Sequence, residues 1–556
     1  MTADDAQWTE ELVSRLSLQK KIAQMITVEI SGGYLSDDDP RLERWIQQVR
    51  EPGVGGVVVY GGTPRDVARM TNRLQKEAAV PLLVSADFEG GPGQQVAGAS
   101  EFPADMALSA VGSEDLAFTV GKISGIEGRA MGIHLTYSPV ADITARPDNP
   151  AESVRTFGGD LDLLSRMMAA YIRGCHEGGM LTTAKHFPGR GDVTRMPNQP
   201  NFQQVDKPAA QVEAQEFRAF KHAIDAKVDF VMTEHIAIPS VTGGSELPAS
   251  VEGKLVTGWL RQKLGFKGVI SSDDLWYDHV IERFGKDDIV VKAIQAGHDI
   301  VLKPKDANTA AARILEAVRS GEIKETRIDE SVRRLLACKA SLGLHKNRMI
   351  DETRVGTLVG IPAHREVVQE LADRSLTLLK NDGVLPVSAP RLRSAVNINI
   401  QKAEIDPSPA ALTSKLCAAF PSLQSFDLRP DTDSAIHEKV RRAAESSELV
   451  IFSLFVPRDR LGAAAPLRER DLILMNEIMK AKPGRTIAMS YGNPYLMNRI
   501  GGAGAFVVGY GEKGWFGNQG VYFDSFIKLL NGALTPEGRL PVLVSEKYPL
   551  GTGIRL

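Results

Sequence analysis

The chain has 556 residues, 43% hydrophobic and 24% charged, which excludes a disordered or fibrous protein and at this length points to two or three domains. Its 66 basic and 69 acidic residues leave a net charge of −3, so its electrostatics call for neither nucleic acid nor an anionic membrane as a partner. Three cysteines, Cys175, Cys338 and Cys417, are too few and too widely spaced for a disulfide framework or a zinc site, and read as buried free thiols.

The N-terminus, MTADDAQWTEELVSRL, is acidic and amphipathic, with no basic stretch leading into an apolar one, and no run approaches the length of a membrane span. A cytoplasmic location is therefore the expectation. Short apolar runs then follow at intervals: QMITVEI (24–30), VGGVVVYG (54–61), PLLVSA (81–86), HLTYSPV (134–140), MLTTA (180–184), DFVMT (229–233), KGVISS (267–272) and HDIVLK (298–303). Amphipathic stretches such as DVARMTNRLQKEA and LLSRMMAAYIRGCHEG lie between them. Continuous apolar runs joined by helical patterns are the mark of buried parallel strands with helical crossovers. Eight such units predict an α/β fold, a (β/α)8 TIM-like barrel, over residues 1–345.

A linker and a helix occupy 346–375, and LTLLKNDGVLP then opens a second alternating series. Its apolar runs are AVNINI (395–400), LVIFSLF (449–455), TIAMSYG (486–492) and AFVVGYG (505–511). They predict an αβα-sandwich domain with a mostly parallel sheet over 376–556.

In a barrel of this kind, chemistry sits where strands end at their C-terminal side. Reading just past each run gives Asp87-Phe88-Glu89-Gly90-Gly91, Lys185-His186-Phe187-Pro188-Gly189, Glu234-His235 and Asp273-Asp274. One carboxylate after a strand is commonly the cap of the next helix. Polar groups after four strands are better explained by convergence on one mouth.

These same segments carry a resemblance. DFEGGPGQQ, VRTFGGD, KHFPGRGD and the SDD of VISSDDL resemble, in order, the signature segments of glycoside hydrolase family 3, closest to its bacterial β-N-acetylglucosaminidase branch. LLKNDGVLP and GALTPEGRLPV resemble the start and end of that family's C-terminal domain, so the likeness runs from about residue 10 to the end. It implies an exo-acting retaining β-glycoside hydrolase that removes a terminal β-N-acetylglucosamine-type sugar, with β-glucosidase activity as the nearest rival. A glycoside phosphorylase and a non-catalytic sugar-binding protein stand further off. By resemblance Asp273 is the nucleophile, and Asp87, Arg155, Lys185 and His186 hold the sugar. Asp274 reads as a helix cap or structural partner, and Glu89 as a brace for the glycine turn. No ligand cluster or phosphate-binding motif occurs in a fitting context, so neither metal nor cofactor is expected. The partner is a carbohydrate substrate.

The pattern breaks at the acid/base. The glucosaminidase branch uses a histidine oriented by an aspartate on the loop after this segment, and here Asn198 and Met196 fall at those places, neither able to transfer a proton. Three carboxylates remain: Glu234 at a strand end, Asp192 on the loop itself, and Glu469 from the second domain. The plain alternative for Glu234 is a salt bridge to a barrel lysine or arginine. The usual Glu-Gly-Gly-Arg is Glu89-Gly90-Gly91-Pro92, and a substrate-binding arginine becomes Gln95, which loses charge and bidentate geometry.

Overall fold

A computed structural model describes residues 2–144, 152–193, 202–387, 392–401, 407–456, 467–511 and 520–556. The chain divides into two compact units: Met1–Ser100, Ala117–Asp142 and Met168–His364 form the first, and Glu101–Leu116, Ile143–Met167 and Arg365–Leu556 the second.

The first unit is built on eight parallel strands: β1 (Ile26–Ser31), β2 (Gly56–Tyr60), β3 (Leu83–Ala86), β4 (Leu135–Thr136), β5 (Leu181–Phe187), β6 (Phe230–Thr233), β7 (Val269–Ser271) and β8 (Val301–Leu302). Their order is β8-β1-β2-β3-β4-β5-β6-β7, and a parallel bridge from Ser271 to Ile300 brings β7 back to the start of β8. Each predicted run overlaps one strand, so the expected barrel is found. In β2 the residues Val57, Val58 and Val59 alternate between the two faces of the sheet and all are buried, as expected when helices cover the outside. Each such side chain contributes about 1.5–3 kcal/mol.

The crossovers read from the sequence in the same physical terms. The helix Pro64–Glu77 starts where the Thr63 hydroxyl accepts the Asp66 N–H and a proline occupies the first turn. It turns Val67, Met70 and Leu74 inward at helical spacing. Among the described residues no helix is long and apolar enough to cross a membrane.

In the second unit, β9 (Thr377–Asn381), β10 (Ala395–Gln401), β11 (Leu423–Leu428), β12 (Leu449–Phe455), β13 (Thr486–Ser490) and β14 (Ala505–Val508) form one sheet in the order β9-β14-β13-β12-β10-β11. Only β9 runs antiparallel to its neighbour. The sequence pattern missed β11: LQSFDL is mostly half-exposed and offers no continuous apolar run. One sheet face packs Ile451, Phe455, Met489 and Tyr491 against Leu412 and Leu416 of the helix Ser408–Ala419 and Phe523 and Phe526 of the helix Tyr522–Leu530.

The cysteines are free, as expected, but only Cys175 is fully buried, and Cys417 is exposed.

Candidate active site

The last residues of β5 bring two side chains to one place. β5 pairs with β6 through Ala184–Val231 and next through Phe187–Thr233, so three steps on one strand face two on the other. Such a bulge re-aims the residues inside it, here Lys185 and His186. Both are buried. Lys185 Nζ lies 2.8 Å from Asp87 Oδ1 and 2.7 Å from Glu89 Oε1, joining the end of β5 to the segment after β3. The Tyr60 hydroxyl, at the end of β2, donates to Asp87 Oδ2 at 3.3 Å. Glu89 is thus a partner of Lys185 as well as a neighbour of the glycine turn.

His186 is oriented by a carboxylate that sequence reasoning missed. Asp142, fully buried, has Oδ2 2.7 Å from His186 Nδ1, and its Oδ1 accepts the Arg190 N–H at 2.8 Å. Fixing Nδ1 in this way sets the orientation of the ring and the direction of Nε2. The signal was present: Asp142 stands two residues past HLTYSPV, where the other strand ends also carry their functional groups. Gly189, at φ +121°, turns the chain between His186 and Arg190; a Cβ there would stand 2.6 Å from Glu216 Cγ.

Glu234 and Asp273 meet at this point. An oxygen of each and a ring nitrogen of His186 all lie within 4.8 Å of one another. Retaining glycosidases hold their two carboxyl groups about 5–5.5 Å apart, and inverting ones about 6.5–9.5 Å to admit water between them. The pair here falls at the short end. One nitrogen and two carboxylates could also serve a cation, but Arg190 Nη1, 3.2 Å from Glu234 Oε2, already supplies positive charge. That ion pair is the plain reading of Glu234, and it is present. Glu234 Oε1 accepts the His235 N–H at 2.7 Å.

Asp273 itself is half-buried, and its Oδ1 accepts the Asp274 N–H at 2.7 Å. Asp274 is no helix cap; the next helix begins at Asp278. Its carboxylate binds Lys303 Nζ at 2.9 Å and accepts from Trp276 Nε1 at 3.3 Å, while its carbonyl lies 3.0 Å from His235 Nε2. Burial pushes the Asp274 carboxyl up to about 7, reinforced by the Asp273 charge and opposed by Lys303. The Tyr277 hydroxyl is pushed up by burial and by Asp274, Asp273 and Glu234.

Asp192 is ion-paired to Lys207, which also binds Glu216 at 2.7 Å. Asn198 and Met196 lie outside the described residues. Arg155 and Glu469 belong to the second unit. Arg155 is buried in the turn Ser153–Arg155, 3.8 Å from Glu152 Oε1. Glu469 opens the helix Glu469–Ala481 and is largely exposed, 3.7 Å from Arg499.

A parallel barrel with a lysine, a histidine and six carboxylates (Asp87, Glu89, Asp142, Glu234, Asp273 and Asp274) at its strand ends is an enzyme architecture with a carboxylate-based site. Residues 17–338 match the glycosyl hydrolase family 3 N-terminal domain. A β-N-acetylglucosaminidase/β-glucosidase from Cellulomonas fimi is 32% identical over 72% of this chain and 71% of its own length. A β-hexosaminidase A from Pseudoalteromonas piscicida is 26% identical, covering 60% of each chain. Among solved structures, a family 3 β-N-acetylglucosaminidase from Paenibacillus superposes with a TM-score of 0.81 at 26% identity, over 95% of this chain and 99% of that one. A β-glucoside phosphorylase has the same fold, with a TM-score of 0.87 at 23% identity over 98% and 97%. The chain belongs to glycosyl hydrolase family 3.

Proposed function

We propose that the protein is an exo-acting β-glycosidase that releases a terminal β-N-acetylglucosamine-type sugar by double displacement, β-glucosides being the alternative substrate. The close approach of Asp273 to Glu234 carries this reading, because the spacing suits a nucleophile and an acid/base acting on one anomeric carbon without a water between them. In the first step an Asp273 oxygen bonds to the anomeric carbon as the glycosidic bond breaks, its electron pair leaving on the aglycone oxygen, which takes a proton from Glu234. In the second, water bonds to the same carbon, Glu234 takes its proton, and the Asp273 carboxylate is regenerated with net retention. Asp87, Lys185 and His186, tied together by Tyr60 and Asp142, present fixed donors and acceptors to the sugar hydroxyls. The sugar follows from the names of the relatives.

The test is nitrophenol release from a panel of aryl β-glycosides, with and without inorganic phosphate. Hydrolysis of the N-acetylglucosaminide or glucoside, with a 2-deoxy-2-fluoro glycoside labelling Asp273, is the expected result. Accumulation of a sugar phosphate only when phosphate is present would replace hydrolysis by phosphorolysis. Binding without turnover of any substrate would leave a sugar-binding protein.

A further inference from the structure

Among the described residues two aromatic side chains are exposed, Tyr34 at 67% and Trp276 at 40%. Both lie at the barrel mouth, Tyr34 on the segment after β1 and Trp276 on the segment after β7, the two strands that flank β8. A single exposed apolar side chain is ordinary on a protein surface. Trp276 is set apart by its place and by its ties. It follows Asp273 by three residues, and its neighbour Tyr277 lies within reach of the Asp273 and Glu234 charges. The Trp276 and Tyr277 rings are 5.4 Å apart at a tilt of 33°.

The indole is held from within the barrel. Its Nε1–H donates to Asp274 Oδ2 at 3.3 Å, and Lys303 Nζ stands 5.5 Å from the ring centre. Lys303 is buried, and its ammonium is fixed at 2.9 Å by Asp274, at 2.6 Å by Glu29 Oε2 and at 4.8 Å over the Tyr60 ring. A cation over an aromatic face and an N–H given to a carboxylate fix the ring without covering it. The polar atom of the indole is spent on Asp274, so what it offers to solvent is apolar ring. Beside it the Glu29 side chain, 53% exposed, offers a carboxylate. A pyranose carries C–H bonds on its faces and hydroxyls around its edge, and an apolar ring next to an exposed acceptor matches both.

We propose that Trp276, with Glu29 beside it, forms the subsite for the aglycone, and that the aglycone it selects is a second pyranose. This rests on the roles given above to Asp273 and Glu234. The sugar to be released is held by Asp87, Lys185 and His186. The group across the scissile bond departs towards solvent, and Trp276 is the exposed ring on the segment that carries the nucleophile. A ring already fixed in place loses little freedom when a sugar stacks on it. The site therefore serves β-linked oligosaccharides better than simple alkyl glycosides. It also receives acceptors in the second step: a pyranose hydroxyl oxygen bonds to the anomeric carbon in place of water, the bond to Asp273 breaks with its electron pair returning to the carboxylate, and Glu234 takes the hydroxyl proton.

The experiment traps the glycosyl-enzyme with a 2-deoxy-2-fluoro glycoside and follows its reactivation with increasing glucose or N-acetylglucosamine as acceptor. Reactivation of the wild type should speed up and saturate with one of these sugars, which gives an acceptor constant. Trp276→Ala should raise that constant about tenfold or more, and Trp276→Tyr, which keeps a ring, about threefold or less. In steady state, kcat/KM for a β-linked disaccharide should fall about tenfold further in Trp276→Ala than kcat/KM for the methyl β-glycoside of the same sugar. Glu29→Gln, at an exposed position, should raise the acceptor constant about threefold to tenfold, and reads the same subsite without disturbing the indole. An acceptor constant unchanged in Trp276→Ala or in Glu29→Gln would overturn the proposal. So would equal losses on disaccharide and methyl glycoside, or a wild type reactivated by benzyl alcohol and by neither sugar. Failure of the wider reading shows separately, as a fluoro glycoside that leaves Asp273 unlabelled.

Discussion

The two ends of the barrel carry similar residues and use them differently. At the bottom, Asp299 just before β8 meets Arg261, Arg327 at 3.4 Å, Arg334 at 2.9 Å, the Ser331 hydroxyl and the Ile270 N–H. Asp229 before β6 meets His176 at 2.7 Å and the Thr182 N–H at 2.9 Å. Lys339 donates to Gln24 at 2.7 Å and to the Gly55 carbonyl at 2.8 Å. These sets tie one crossover to the next. At the mouth the carboxylates are also partnered, yet Asp273, Glu234 and His186 turn atoms towards a shared point. A charge with a closed partner set holds the fold, and charges clustered on one point can act on a ligand. Substitution at each end should separate the two roles.

The largest effect falls at the mouth. Asp273→Asn should lower kcat by about 10⁴-fold or more, the scale seen when a nucleophile is removed, with Tm unchanged within about 2 °C. Asp299→Ala should do the reverse. Burial pushes the Asp299 carboxyl up, but the three arginines prevail and hold it low, so its loss leaves guanidinium groups uncompensated. A cost of about 3 kcal/mol is expected from urea denaturation, at the low end for a buried pair because Arg334 is partly exposed. The folded fraction should retain wild-type kcat. If Asp299→Ala lowered kcat without lowering stability, the two ends would not be distinct in function.

Asp142→Asn comes next, and lies between the two classes. An amide in place of the carboxylate keeps the shape but weakens the bonds to His186 and to the Arg190 N–H, each about 1.5–3 kcal/mol when charged. At about 1.4 kcal/mol per tenfold, kcat/KM should fall about 10- to 100-fold, and glycoside binding to the Asp273→Asn, Asp142→Asn double variant should weaken in isothermal titration. Unchanged kcat/KM would make Asp142 a residue of the fold only.

How far the sequence told these classes apart follows from what each leaves in the pattern. Most of the barrel strands sit in apolar runs because both their faces are buried, β1 with its exposed Glu29 and β5 with Thr182 and Thr183 departing from it, and that pattern survives without knowledge of their partners. β11 did not survive it, because an edge strand with polar, half-exposed alternation looks like a loop. The mouth was legible where a charged residue directly follows a run, as Asp87, Glu234 and Asp273 do. Asp142 and Arg190 escaped because their role lies in what they touch, across 44 and 48 residues of chain. Asp229 and Asp299 precede their strands as plainly as Asp273 follows its own, but nothing in the pattern alone marks a carboxylate before a strand as a clamp for arginines. Family resemblance supplied roles, and where it broke, at Met196 and Asn198, only the contacts of Glu234 spoke to the acid/base.

The smallest effect sharpens the bottom end alone. Lys339 is wholly buried, and burial pulls its amine down to about 7 from the ordinary 10.5. A folded-state value below the unfolded one means that between about pH 7 and 10.5 the unfolded chain binds a proton that the folded chain does not. Stability from this group therefore rises with pH through that window, by at most about 1.4 kcal/mol per pH unit, and is flat below it, where both states are charged. Lys339→Met keeps the volume and removes the titration. Its loss of bonds to Gln24 and Gly55 shifts stability by an amount independent of pH. Urea midpoints at pH 7, 8 and 9 should then climb more steeply for the wild type than for the variant. Parallel lines would mean that the amine keeps its proton inside the barrel, held by the Gln24 and Gly55 oxygens strongly enough to offset burial.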